Sequence, residues 1–376
     1  MKSEGSAPAI AILLTLGIVA AAGTTGLSYK DHHERQSNER MVLAALGARG
    51  ATVEGSESYP GQSTGTTQAW TQTSSLPEPL ETQAAAVNNG FLYIIGGLSK
   101  GTPTSSVLYS KIDSDGTLEP FQETTPLPYT LYRYLCGVVN NNFIYAIGGI
   151  ADGSTTSSVL YAPILGDGTV GQWTPTTSLP EPLQLHGTVA NNGYLYVIGG
   201  STAPVAESGQ ETNAVAYAEF NPDGTLGPFT PTTDLPVADY KTCPVADHGA
   251  IYLLGGEVPE STSAVWYALP AEDGSLAAWN AATPLPYTNA ATAIVNSDGA
   301  IVMMGGDTSG TGGDTSEAAK GRLLGLGTIQ WHLLPALPKV TSRQAGASYD
   351  GYVYSIGGLS PNVDTSAVYF MRASAK

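Results

Sequence analysis

One cassette is written six times between Trp70 and Phe370, and a chain that repeats itself about every fifty residues is confined to stacked or ringed architectures. Each copy sets an aromatic residue, then Leu-Pro six and seven positions later, then an apolar run closing on Gly-Gly. The aromatics are Trp70, Phe121, Trp173, Phe229, Trp279 and Trp331, and the prolines are Pro77, Pro128, Pro180, Pro236, Pro286 and Pro338. The glycine pairs begin at Gly96, Gly148, Gly199, Gly255, Gly305 and Gly357. Proline and glycine pair are nineteen residues apart, except in the second copy, where the gap is twenty.

The third copy shows what each unit builds. Leu179-Pro180 ends one strand, because proline cannot extend a hydrogen-bonded ladder. A strand from about His186 to Ala190 meets the turn Asn191-Asn192-Gly193, whose residues tolerate positive φ and close tight hairpins. Tyr194 to Ile198 is continuously apolar, as in a strand buried on both faces. Gly199-Gly200 then admits close approach of neighbouring backbone. A further strand around Val215 to Tyr217 and the hairpin at Asp223-Gly224 complete four short strands, the blade of a propeller. The first strand, at Trp70, lacks a preceding blade, and the chain ends its repeats at Tyr369-Phe370. The Trp70 strand is therefore expected to complete the blade of Gly357-Gly358 and close a six-bladed ring. The fifth copy has a Gly/Thr/Ser loop from Gly306 to Lys320, and Leu326-Gly327 where Asp-Gly is expected, so its outer edge is expected to be irregular.

Tyr194-Leu195-Tyr196-Val197-Ile198-Gly199-Gly200, with its downstream Tyr217 and aromatic Phe229, resembles the kelch repeat. The resemblance runs over about residues 65 to 371 and implies an all-β propeller of the kind that serves mostly as a binding or display platform.

Residues 51 to 376 carry 28 acidic and 10 basic groups, 10 − 28 = −18, while the first fifty carry 5 − 4 = +1. An acidic propeller repels phosphate backbones, which argues against nucleic acid as a partner. Charged residues make up only 12% of the chain, and Thr, Ser and Gly are abundant, the surface of an extracellular or cell-surface protein. Cys136 and Cys243 each lie twelve residues before their glycine pair, where other copies have Ala84, Gly187, Ala293 and Ala345. Two blades apart, they are on the order of 10 Å from each other, too far for a disulfide.

Gly5 to Tyr29 contains no charged residue. Its Ile10, Ile12, Leu13, Leu14, Leu16, Ile18 and Val19 stand to bury apolar surface worth roughly 10–20 kcal/mol, so the segment has to be covered. As a helix it is long enough to cross a bilayer. Lys30 to Arg40 continues in a polar helical pattern, and Ala51 to Gly65 reads as a linker. The organisation is thus a helix over 1–50, a linker over 51–65 and a propeller over 66–376. Gly5-Ser6-Ala7-Pro8-Ala9-Ile10-Ala11-Ile12-Leu13-Leu14 resembles the start of type IV pilin-like proteins of the archaeal kind. That resemblance implies a stem helix that self-assembles into an extracellular filament with the propellers outside, after membrane contact through the same helix. A plain membrane anchor and a cleaved secretory signal are the other readings of the segment.

Chemistry is harder to find. His32, His33, His186, His248 and His332 make no metal-ligand spacing, and no nucleophile elbow or phosphate loop is present. No catalytic residue, metal or cofactor is expected. Tyr129, Tyr132, Tyr134, Tyr240 and Tyr287 follow Leu-Pro in different copies and form a candidate face for stacking on sugars or docking a surface protein. The sequence therefore points first to a non-enzymatic structural subunit of a filament, and otherwise to an anchored or secreted propeller that binds a glycan or protein.

Overall fold

A computed structural model describes residues 69–373 apart from 134–135, 204–209, 242, 258 and 310–312. The expected stem, with Ile10, Ile12, Leu13, Leu14, Leu16, Ile18 and Val19, lies outside the described residues, as do the linker and Tyr134. The described residues are all-β and contain no helix.

Six four-stranded antiparallel sheets follow the six repeats. The first is Ala84–Asn88, Phe91–Ile95, Val107–Lys111 and Gln122–Glu123. Its counterparts begin at Cys136–Asn140, Gly187–Asn191, Cys243–Asp247, Ala293–Ser297 and Ala345–Tyr349, and are called the second to sixth sheets. These leading strands lie side by side in that order, and the last lies beside the first. Thr71 pairs with Phe370 and Gln72 with Tyr369, so the outermost strand of the sixth sheet comes from the start of the repeats. Small positions at the head of the leading strand let neighbouring sheets touch, and Ala84, Gly187, Ala293 and Ala345 are all buried. Cys136 and Cys243 head the same strand in their sheets.

Apolar side chains fill the spaces between sheets. Tyr93 and Ile95 of the first sheet pack with Ile144 and Leu160 of the second and with Leu131 just before it, all nearly inaccessible to water. Hydrogen bonds then register one sheet on the next. The second glycine of every pair donates its N–H to the carbonyl three residues past the proline of the following repeat: Gly97 to Leu131, Gly149 to Leu183, Gly200 to Asp239, Gly256 to Asn289, Gly306 to Thr341 and Gly358 to Leu80, at 2.7–2.9 Å. The last of these joins the sixth sheet to the first. These glycines have φ between 90° and 109°, and a Cβ on Gly200 would stand 2.6 Å from the His186 Cβ. Left-handed backbone and lack of space together explain why the repeat ends in glycine.

A second set of contacts joins the sheets further out. The Tyr93, Tyr145, Tyr196 and Tyr354 hydroxyls donate to the carbonyls of Gly168, Gly224, Gly274 and Gly116 in the hairpin of the next sheet, at 2.8–2.9 Å. Threonine hydroxyls accept from the same hairpins, as where the Val170 N–H reaches Thr124 at 2.8 Å. The Asp of each Asp-Gly shapes its hairpin by accepting, through one oxygen, from the amide and hydroxyl two residues on, as Asp167 does from Thr169. Those bonds hold the Asp115, Asp167, Asp223 and Asp273 carboxyls below the usual range.

The fifth sheet has the irregular outer edge that its sequence suggests. Its outer strands, Ala318–Gly325 and Thr328–Leu334, are the longest of the described strands, and the irregularity is a register shift between Leu323 and Gly325. The two-residue Leu326-Gly327 turn lets the ladder run to the tip, whereas the Asp-Gly hairpins open into wider loops closed by single bridges such as Ile112 to Leu118. Opposite this sheet the sixth has no hairpin, because its outer strands come from distant parts of the chain. Val302 accordingly occupies the tyrosine position, while this interface keeps the indole bond that Trp173 and Trp279 make at theirs, Trp70 donating to the Pro335 carbonyl at 2.8 Å.

Candidate functional site

The segment between Leu-Pro and the leading strand carries each repeat to one end of the ring of leading strands. Counted from the proline, the fifth residue is Thr82, Arg133, Leu185, Lys241, Ala291 or Arg343. All six have left-handed backbone, with φ from 50° to 69°, and none is glycine or asparagine. Such conformations are strained for residues with a Cβ, and glycine would relieve them. The side chains are kept regardless. Backbone links join the positions across sheets: Thr82 N–H to Arg343 O at 3.0 Å, Lys241 N–H to Leu185 O at 2.8 Å and Arg343 N–H to Ala291 O at 2.9 Å. The Arg133 N–H reaches the Thr82 hydroxyl at 3.4 Å. The extra residue of the second copy falls directly after this position, beside Arg133.

Three of the six positions are cationic, and they alternate around the ring in the second, fourth and sixth sheets. Arg133 donates to the Gln184 side chain of the third sheet at 3.3 Å. Arg343 makes the corresponding contact in the first sheet, to the buried Glu81 carboxylate at 3.1 Å. Lys241 meets alanine, Ala290, at that point in the fifth sheet and turns instead to Glu257 of its own sheet at 2.5 Å. Its ammonium also lies 5.1 Å from the Tyr240 ring centroid. The Arg343 side chain is 46% exposed and that of Lys241 22%, while Glu81 and Glu257 are buried beneath them. Cations therefore stand toward solvent and carboxylates lie under them.

Two residues before this ring, the third position past the proline is leucine in the first three copies and Asp239, Asn289 or Thr341 in the others, buried in every case. Burial raises the Asp239 carboxyl well above its usual range, although its Oδ1 accepts the Glu257 N–H at 3.0 Å. The cavity beside it, lined by Leu235, Val237, Leu253, Thr262, Ala264 and Trp266, is about 10 Å³, room for one water at most. One position past the ring, His186 is fully buried, and desolvation lowers its pKa to about 4. Gln83 and Gln344 at the same position donate to the Ile356 and Met304 carbonyls of the preceding sheets.

The tyrosines of the expected binding face divide. Tyr132 and Tyr240 immediately precede Arg133 and Lys241 and so sit at the ring. The Tyr240 hydroxyl is taken up by Glu257. Tyr129 packs on the core between the first and second sheets, with its hydroxyl 2.5 Å from that of Ser158. Tyr287 packs between the fourth and fifth, its buried hydroxyl without a hydrogen-bond partner among the described residues. The residues that sequence reasoning missed are the six left-handed ones. Their constant distance from proline was the available signal, but their side chains share no chemistry. Among the described residues no three His, Cys, Asp or Glu side chains gather as a metal set.

No family model matches the chain. It is similar to kelch-like protein 15 of Homo sapiens, 24% identical over 166 residues that make up 41% of this chain and 27% of that protein. Alpha-scruin of Limulus polyphemus is 30% identical over 166 residues, 42% of this chain and 18% of that protein. Each match thus spans less than a third of the relative's length. Among solved structures, that of YjhT is similar in fold, with a TM-score of 0.63 at 16% identity, covering 79% of this chain and 95% of that one.

Proposed function

We propose that this kelch-type β-propeller is a closed six-bladed binding module, without catalytic activity, that works at the cell surface or outside the cell and takes its ligand at the axial mouth. The single observation that carries this reading is the ring of six non-glycine residues in left-handed conformation. Backbone strain of this kind persists where side-chain placement is worth more than relaxation. The closure of the ring is supported by the Gly358–Leu80 bond and the Thr71–Phe370 pairing, and the binding role by the likeness to kelch proteins. The extracellular setting is supported by the sparse charge and the Ser/Thr-rich loops. The filament reading draws on residues 1–50, which lie outside the described residues, while the binding reading draws on the described propeller and on the likeness to kelch proteins, so the binding module is the better supported of the two.

The test is a ligand-observed NMR screen of the full-length chain against mixed small molecules, glycans and peptides, followed by mapping of hits on its amide spectrum. Shifts centred on Thr82, Arg133, Leu185, Lys241, Ala291 and Arg343 are expected. Hits that map to the outer hairpins at Asp167 or Asp223 would remove the mouth from consideration.

A further inference from the structure

We propose that the mouth recognises a small anion carrying two or three carboxylates, an inference that rests on its being the ligand site. Residues 51 to 376 contain ten basic side chains against 28 acidic ones, yet three of the ten fall on this one ring of six positions. Arg133, Lys241 and Arg343 are spaced every second sheet, so they approach the axis from three directions. Backbone bonds of 2.8–3.0 Å join Thr82 to Arg343, Lys241 to Leu185 and Arg343 to Ala291, so neighbouring positions of the ring lie against one another. Long, jointed side chains on such a frame can close together on one molecule the size of a tricarboxylate.

The partners of the three cations fit this role. Arg133 donates to a neutral amide, Gln184, and pairs with no carboxylate among the described residues. Arg343 and Lys241 pair with Glu81 and Glu257, whose side chains are 9% and 7% exposed against 46% and 22% for the two cations.

Isothermal titration of the full-length protein with citrate, with its neutral triethyl ester and with inorganic phosphate tests the proposal. Citrate is expected to bind, the ester not to bind, and phosphate to bind more weakly. Citrate affinity is expected to fall at least about tenfold in Arg133→Gln, which leaves no buried carboxylate unpaired, and to stay unchanged in Lys111→Gln on an outer hairpin. Affinity should also fall as salt is raised. Equal binding of citrate and its ester would overturn the anion inference while leaving the mouth as the ligand site. Phosphate binding as tightly as citrate would overturn the carboxylate assignment. Absence of citrate binding, or citrate binding unchanged in Arg133→Gln, would overturn the proposal outright; the NMR mapping then decides separately whether the mouth binds anything.

Discussion

Replacing Tyr196 by phenylalanine removes one oxygen atom from a side chain that has no accessible surface. The lost contact is a 2.8 Å bond to the Gly274 carbonyl in the hairpin of the next sheet. A buried hydrogen bond contributes a net 0.5–1.5 kcal/mol, and an acceptor left unsatisfied costs about 1–3 kcal/mol, so Tyr196→Phe is expected to destabilise by about 1–2 kcal/mol. Tyr109→Phe is the matched control, because its hydroxyl bonds the Gln122 side chain at 3.2 Å in an exposed setting, and a change within about 0.5 kcal/mol is expected. Equilibrium urea unfolding of the full chain reads both, and thermal melts should show a loss of roughly 2–4 °C per kcal/mol. Tyr93 occupies the same position between the first and second sheets, so Tyr93→Phe combined with Tyr196→Phe should add. If Tyr196→Phe costs no more than Tyr109→Phe, the tyrosine bonds do not hold the sheets together, and the occurrence of Val302 opposite the hairpin-free sheet needs another cause.

Burial raises the pKa of Tyr93, Tyr145, Tyr196 and Tyr354 above that of an unfolded tyrosine, so the stability linked to them is complete below about pH 10 and is lost as pH rises further; alkaline unfolding followed by circular dichroism should begin there. His186 has the opposite sign: its pKa is lowered from 6.5 to about 4, so its contribution is present above pH 6.5 and falls away toward pH 4, by on the order of 3 kcal/mol. Urea midpoints for wild type and His186→Gln across that window should show a shallower loss in the variant. Asp239→Asn keeps an acceptor for the Glu257 N–H and removes a carboxyl that burial disfavours as an anion, so unfolding at pH 8 should show it equal to or about 1 kcal/mol more stable than wild type. Gly200→Ala places a Cβ 2.6 Å from that of His186 at φ +104°, and soluble expression should be reduced or the melting temperature lowered by several degrees.

The repeat boundaries, the tight turns and the origin of the Trp70 strand were legible because each depends on residues whose backbone preferences are their own. Pro77 and its counterparts end ladders, and Gly97 and its counterparts supply positive φ. The mouth was not legible, because Thr, Arg, Leu, Lys and Ala have no preference for the left-handed region that the ring imposes on them. The tyrosine face was read from sequence proximity to Leu-Pro. Proximity did not reveal that Tyr129 and Tyr287 turn into the spaces between sheets while Tyr132 and Tyr240 stay at the ring. The extended outer hairpin of the fifth sheet was hidden by its Gly/Thr/Ser loop, which leads into the hairpin without belonging to it.

The pairing of Thr71 with Phe370 also has a consequence in time. The outermost strand of the sixth sheet leaves the ribosome before any other part of the repeats, and its partners leave last. At 5–20 residues per second, roughly 15–60 s pass between the two. Until the fifth sheet is made Trp70 lacks its Pro335 carbonyl, and from then until the sixth is complete five sheets stand as an open arc with both end faces exposed. The nascent arc is the species most at risk of joining a second copy, and a cell making this protein quickly would need something to hold the arc's ends apart until the last forty residues emerge.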